Sequence, residues 1–367
     1  MLHESLSPAD SSGRRRFLKR LSAGAAGLAL GSLAKTGDAS AKLFGSDKSE
    51  VSFLAGKDRR EMVSKALKPF EKEVEKAIRG KRVVIKANAG LAKPEYARCS
   101  SHADQLRGIL DFLKPLYDRE IIITEGTAGV ECSAFIGFEN YGYLPLEKEY
   151  KVKLVDANDA PFTLRWIYAG RRHPEPINII NLFTDPDVFL ISAARMKTHN
   201  AVVGTYSLKN CAMGAPVCHF RDKSMAQRNE KSKMHGGAGS SGGRELSYNL
   251  FLVAQMGVQP DLAVIDGVET IEGDGPWDGA VVEHGVALAS MDFVAADRMA
   301  SELMGIDPKY MKYLDWCGQA GMGNFDLDKI KVNGPDWKKH VIKYKMNKNF
   351  DWQVAWILEN FEEKEKK

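Results

Sequence analysis

The run Arg195-Met196-Lys197-Thr198-His199, with Lys209-Asn210 close behind, concentrates groups that bind anions and move protons. Lysine offers a mobile ammonium, threonine a hydroxyl, and histidine an acid, a base or a metal ligand. Together they suit a carboxylate or a phosphate. Lys197 and His199 are the candidates for catalytic roles, and Thr198, Lys209 and Asn210 for holding the ligand. Asn88 joins the ligand-binding set from the end of an earlier apolar run, Val83-Val84-Ile85.

A second constellation alternates carboxylates with glycines: Asp261-Leu262-Ala263-Val264-Ile265-Asp266-Gly267, then Glu269 and Glu272-Gly273-Asp274-Gly275-Pro276. Such a loop could take a hard cation or place one carboxylate as a general base. Asp266 is the candidate base and Asp274 a candidate ligand-binding residue. A third stretch, His235 to Gly243, holds five glycines in the eight residues after His235. Backbone amides there could approach a ligand closely. It is neither a Walker loop, since no Gly-Lys-Ser/Thr ends it, nor a dinucleotide fingerprint, since no strand feeds it. Cys211, His219, His235, Asp266 and Asp274 are the candidate metal ligands, in a spacing that matches no standard zinc site. No C-x-x-C and no H-E-x-x-H occurs, so an iron–sulfur cassette and a zinc ribbon are absent as local motifs. The cofactor stays open, with a metal ion as one candidate.

The elements that must carry these groups follow from hydrophobic patterning. Short apolar runs predict strands at 81–86, 121–124, 152–155, 187–193, 262–265, 286–289 and 329–332. Helical spacing predicts helices at 59–78, 102–116, 245–256, 294–304 and 350–363. The alternation argues for an α/β fold with a mostly parallel or mixed central sheet flanked by helices. Ligands in such sheets collect at the carboxyl ends of the strands. Those ends carry Asn88, Glu125, Asp156, Lys197-Thr198-His199, Asp266 and Asp292. The basic cluster is therefore expected to face one cavity with Asp266 and Asp274.

Arg14-Arg15-Arg16-Phe17-Leu18-Lys19 reads as a twin-arginine export signal. The apolar run behind it, Leu21 to Ala34, is 14 residues long, short of the roughly 20 a spanning helix needs. Ala39-Ser40-Ala41 supplies a cleavage site. The expected organisation is a signal over 1–41, a linker over 42–57, an α/β domain over 58–335 and a C-terminal helical tail over 336–367. The expected location is the periplasm or another exported compartment, with the twin-arginine machinery as a partner and no stable membrane span after cleavage. Six of the 52 Lys/Arg and three of the 48 Asp/Glu lie in residues 1–41, which leaves 46 against 45. That balance points to no nucleic-acid partner. Five cysteines, Cys99, Cys132, Cys211, Cys218 and Cys317, allow one or two disulfides in an oxidising compartment.

The segments Val83 to Asn88, Lys197-Thr198-His199, Lys209-Asn210 with Gly214 and Pro216, and Pro260 to Gly267 together resemble the family catalogued as domain of unknown function 362. The resemblance continues through Glu272 to Pro276, Asp292-Val294-Ala295-Asp297 and Gly321-Met322-Gly323, and covers roughly residues 80–335. Two positions depart from the family's pattern. Its usual Lys-Pro-Asn is Lys86-Ala87-Asn88 here, and Arg195 stands for the first lysine of Pro-Lys-Leu-Lys-Thr-His. Some relatives carry iron–sulfur modules, for which this chain has no cassette. The resemblance implies a fold and a pocket, and no reaction. Two functions are expected from all this: an enzyme acting on a small anionic ligand, or a non-catalytic metal, cofactor or anion-binding protein or partner of an exported redox complex.

Overall fold

Val83-Val84-Ile85 is apolar at every position, which suits a strand covered on both faces rather than one. The computed structural model describes residues 48–128, 133–170, 173–219, 228–237 and 243–365. There the residues sort by parity: Val83 and Ile85 pack into one core, Val84 into another. The same sorting holds in the next strand of the sheet, where Phe189 and Ile191 face one way and Leu190 the other.

The sheet has nine strands and mixed pairing. They are β1 (Ser49–Ala55), β2 (Arg82–Lys86), β3 (Ile121–Glu125), β4 (Val152–Asp156), β7 (Val188–Thr198), β8 (Gly204–Thr205), β11 (Leu262–Glu272), β12 (Ala280–Ser290) and β13 (Ile330–Asn333). Their order is β13-β1-β12-β11-β7-β2-β3-β4, with β8 beside β7. From β11 to β4 every neighbour is parallel, and β12 turns back against β11 as a hairpin. Outside the sheet lie a hairpin of β5 (Phe162–Tyr168) and β6 (Pro174–Ile180), and a short pair of β9 (Cys218–His219) and β10 (Arg228–Asn229).

One face is covered by α1 (Arg59–Leu67), α2 (Glu71–Ile78), α3 (Ala103–Leu113) and α4 (Ala134–Asn140). The other carries α5 (Ser207–Gly214), α6 (Gly243–Gln255), α7 (Phe293–Leu303), α8 (Lys312–Gln319) and α9 (Phe350–Glu365). The expected α/β class is the observed one. Three expectations change. The helix foreseen over 59–78 is interrupted by a 3-10 turn at Lys68–Phe70, where Pro69 has no backbone N–H to give. Much of the segment read as a linker is β1, an inner strand between β12 and β13. The tail is not a separate appendage: Val354, Trp356 and Ile357 of α9 belong to the core beside α6 and α7. The signal sequence, Cys132 and residues 238–242 of the glycine-rich stretch lie outside the described residues.

Candidate functional site

The carboxyl ends of β2, β3 and β7 open into a cavity of about 340 Å³ whose wall includes Lys86, Glu125, Lys197, His199, Lys209 and Lys231. Asn88, Asn210 and Trp277 also line it. Four lysines against one carboxylate make the wall strongly cationic, and what each lysine does is settled by its bonds.

Lys86, at the end of β2, is ion-paired to Glu125 Oε1 at 2.6 Å and also donates to Ala87 O and Asn210 Oδ1. Glu125 accepts in turn from the Ala89 and Gly126 amides. That pair is satisfied within the protein. Lys231 donates to the carbonyls of Met213, Gly214 and Pro216, at 2.9, 2.9 and 2.7 Å. Met213 and Gly214 end α5, where carbonyls lack partners inside the helix, so Lys231 caps its C-terminal end. Asp297 accepts from the Ser207 and Leu208 amides at the other end. Asp297, whose carboxyl burial pushes up to about 8, and Lys231 thus hold the two ends of α5 and fix the eight residues that present Lys209 and Asn210 to the cavity.

Asn210 joins the strands to α5. Its Oδ1 accepts from Lys86 Nζ and Asn88 Nδ2, and its Nδ2 donates to Lys86 O and Ser192 Oγ. Lys197 donates to Asn88 Oδ1 at 2.8 Å and Cys99 O at 2.7 Å, and sits 4.9 Å from the centre of the Trp277 ring. Lys209 is different. It is 7% exposed and has no hydrogen-bond or ion-pair partner among the described residues.

Burial bears on these amines. Lys209 is pushed down to about 7 by desolvation and by the nearby Lys197 and Lys86 charges. Desolvation also lowers Lys197 and Lys231, each to about 8. His199 is held well below its usual value by burial, with Lys209, His235 and Lys197 adding repulsion. Its Nδ1 accepts from the Ala201 amide at 3.0 Å, so the neutral ring carries its proton on Nε2. His199 is therefore a hydrogen-bond donor to the cavity at neutral pH, its titration displaced well below the ordinary histidine value.

Of the residues singled out from sequence, Asn88, Lys197, His199, Lys209, Asn210 and, at the exposed rim, His235 line the cavity. Thr198 does not: β7 continues through it, its side chain falls on the other face of the strand, and its hydroxyl donates to Gly273 O. Asp266 does not either. It lies inside β11, fully buried, 2.9 Å from Arg59 and 3.6 Å from Arg195, so its charge is already neutralised. Asp274 is ion-paired to Lys348 at 3.5 Å and accepts the Lys348 amide, which ties it to the tail. The candidate metal ligands do not assemble: no group of three or more His, Cys, Asp or Glu is placed to hold a metal among the described residues. Cys211 is a free buried thiol pushed up to about 12, a poor source of thiolate, and no pairing with Cys218 is made. The side chain of His219 lies outside the described residues.

Lys86, Glu125, Lys231 and Trp277 also line the site; Glu125 was expected only as a strand end, and the other three were not among the expected site residues. Lys86 and Glu125 had a signal, since both end apolar strands. Lys231 had none, because it stands in a charged run that reads as solvated surface.

The family model described as Domain of unknown function (DUF362) matches residues 83–302, more than half of the chain. The chain belongs to that family. The DUF362 span holds all four cavity lysines, Asn88, Asn210 and Trp277. Among relatives, the thylakoid-associated protein sll1697 of Synechocystis sp. is 26% identical over 179 residues, 46% of this chain and 47% of that protein. The chain thus spans about half the length of the relative it matches. Lactate racemase apoprotein from Thermoanaerobacterium thermosaccharolyticum is similar at 12% identity and a TM-score of 0.40, over 70% of this chain and 57% of that one. A protein from Thermotoga maritima is similar at 13% identity and a TM-score of 0.37, over 72% and 60%. Neither structural likeness bears on the chemistry of the DUF362 cavity.

Proposed function

We propose that this is an exported protein that binds a small anionic molecule, a carboxylate or a phosphate compound, and acts on it as an enzyme. The observation that carries the reading is Lys209: a buried amine on a cationic cavity wall with no acceptor of its own among the described residues. Lys209 opens onto the cavity, where a bound anion would supply a charge-assisted acceptor. His199 adds a neutral N–H donor from the same wall. The cavity suits a small molecule, being of the order of 300 Å³, the lower end of the usual range for ligand pockets.

Export is supported by the sequence of residues 14–41 alone. A non-catalytic carrier is the second reading. It is favoured by one observation: the carboxylate of the wall, Glu125, is already taken up by Lys86.

Screening organic acids, phosphate esters and divalent metals by thermal shift tests the site. An anion should stabilise the wild type, and Lys209→Ala and His199→Ala should weaken its binding by at least about tenfold, since losing a buried charged hydrogen bond costs about 2–5 kcal/mol. Lys339→Ala, whose side chain is 79% exposed, should bind as the wild type does. Equal shifts in all four proteins would put the ligand elsewhere. Absence of any shift would favour the partner of an exported redox complex. Turnover of the bound compound separates enzyme from carrier.

A further inference from the structure

We propose that Lys209 Nζ forms a covalent imine with the carbonyl carbon of a small 2-oxo acid held in this cavity. The proposal rests on the anion-site reading above and narrows it to one substrate class.

Three of the four cavity lysines are committed to the protein. Lys86 is spent on Glu125, Ala87 O and Asn210; Lys231 caps α5; Lys197 is held by Asn88 and Cys99. Only Lys209 has its nitrogen unengaged among the described residues, and it is carried by a helix fixed at both ends. A lysine becomes a nucleophile when desolvation or a neighbouring cation releases its proton. Lys209 has both conditions, in its burial and in the Lys86 and Lys197 charges. Its lone pair is therefore available near neutral pH.

The wall also answers for the rest of the substrate. Lys197 uses two of its three donors on Asn88 and Cys99, which leaves one for a carboxylate. His199 Nε2–H can donate to the carbonyl oxygen and polarise it. An anionic carbonyl compound thus meets a cation, a donor and a nucleophile at once, whereas a neutral aldehyde meets no use for the cation.

The reaction balances without an oxidant or a reductant. The Nζ lone pair attacks the carbonyl carbon, the N–C bond forms, and the π pair passes to the oxygen. A proton moves from nitrogen to that oxygen to give the carbinolamine. The hydroxyl leaves as water on taking a second proton, and the nitrogen pair closes the C=N bond. One amine and one carbonyl give one imine and one water.

The test uses the full chain with glyoxylate, followed by borohydride, which reduces an imine to a stable secondary amine. Mass spectrometry after digestion should find a single dominant adduct, on Lys209. It should fall at least tenfold when excess glycolate, which has the carboxylate but no carbonyl, competes. Lys209→Arg should keep the charge and form no adduct, with its circular dichroism showing whether it folds. The distribution of adducts in the wild type does not depend on that variant. Adducts spread over exposed lysines such as Lys339 would overturn the imine. So would stabilisation by glyoxylate and glycolate alike with no adduct on Lys209, an outcome that leaves the anion site standing. Failure of both compounds to stabilise the protein, with no adduct, would remove the anion-site reading as well.

Discussion

Lys209 is a buried amine with no counter-ion among the described residues, and charging it has a measurable cost. Its pKa falls from 10.5 to about 7, so between those pH values the unfolded chain binds a proton that the folded chain does not. Stability contributed by this group is present above the unfolded value and is lost as pH drops toward 7. Lys197, His199 and His235 around it are likewise lowered by burial. Lys209→Met, similar in length and uncharged, should therefore be more stable than the wild type at pH 7 by a few kcal/mol, with the gain shrinking toward pH 10.5. Urea unfolding of both proteins at two pH values checks it, and a gain that grows with pH would contradict the account. Binding of anions should be lost in the same variant, a trade of function for stability at one position. His199 carries a further consequence. Because its ring stays neutral down to well below 6.5, anion binding should show no His199 step between roughly pH 5.5 and 7.5.

The precision of the site lies in short elements clamped from outside. α5 is too short to be stable by itself, and its two buried caps come from α7 and from the segment after β10. Lys86 passes so close to the last turn of α5 that a Cβ on Gly214 would lie 2.1 Å from Lys86 Cε. That is a requirement for glycine through close approach of a side chain. Gly214→Ala should displace Lys86 from Glu125 and Asn210, destabilise the fold by about 1–3 kcal/mol and weaken anion binding. Thermal unfolding together with ligand-induced shifts reads both, and an unchanged melting curve would show that the contact yields freely. The tail acts in the same way on the other wall. Gln353 of α9 donates to His199 O and accepts from the Val203 amide, which holds Val203 at a φ of 63°. A β-branched residue at positive φ persists only where its surroundings fix it. Asn347 holds Gly275 O in the loop that places Trp277 beside Lys197.

Across the whole chain, Lys48 to Lys367 form one compact unit. No helix of the described residues is long and apolar enough to cross a membrane. The proposed export makes Arg14 and Arg15 the residues to test. Arg14→Lys with Arg15→Lys should leave precursor in the cytoplasm when fractions are compared by immunoblot, and undiminished export of the double variant would refute the assignment. The α/β class, most strands and the ends of β2 and β3 were legible because apolar runs bounded by polar residues are local signals. Lys197, His199, Lys209, Asn210 and Asn88 were legible for the same reason, as polar groups placed at or just beyond such runs. Asp266, Asp274 and Thr198 looked the same in sequence and have other uses. Asp266 is neutralised by Arg59, more than two hundred residues away, and Asp274 by a lysine of the tail. Strands β7 and β11 run further than their apolar cores, so the parity of the strand turns Thr198 away from the cavity. Sequence thus determined which groups could take part, because side-chain chemistry and strand periodicity are local. Tertiary structure alone decided which of them are free to act, because a buried charge is spent or available according to the partner that long-range folding brings beside it.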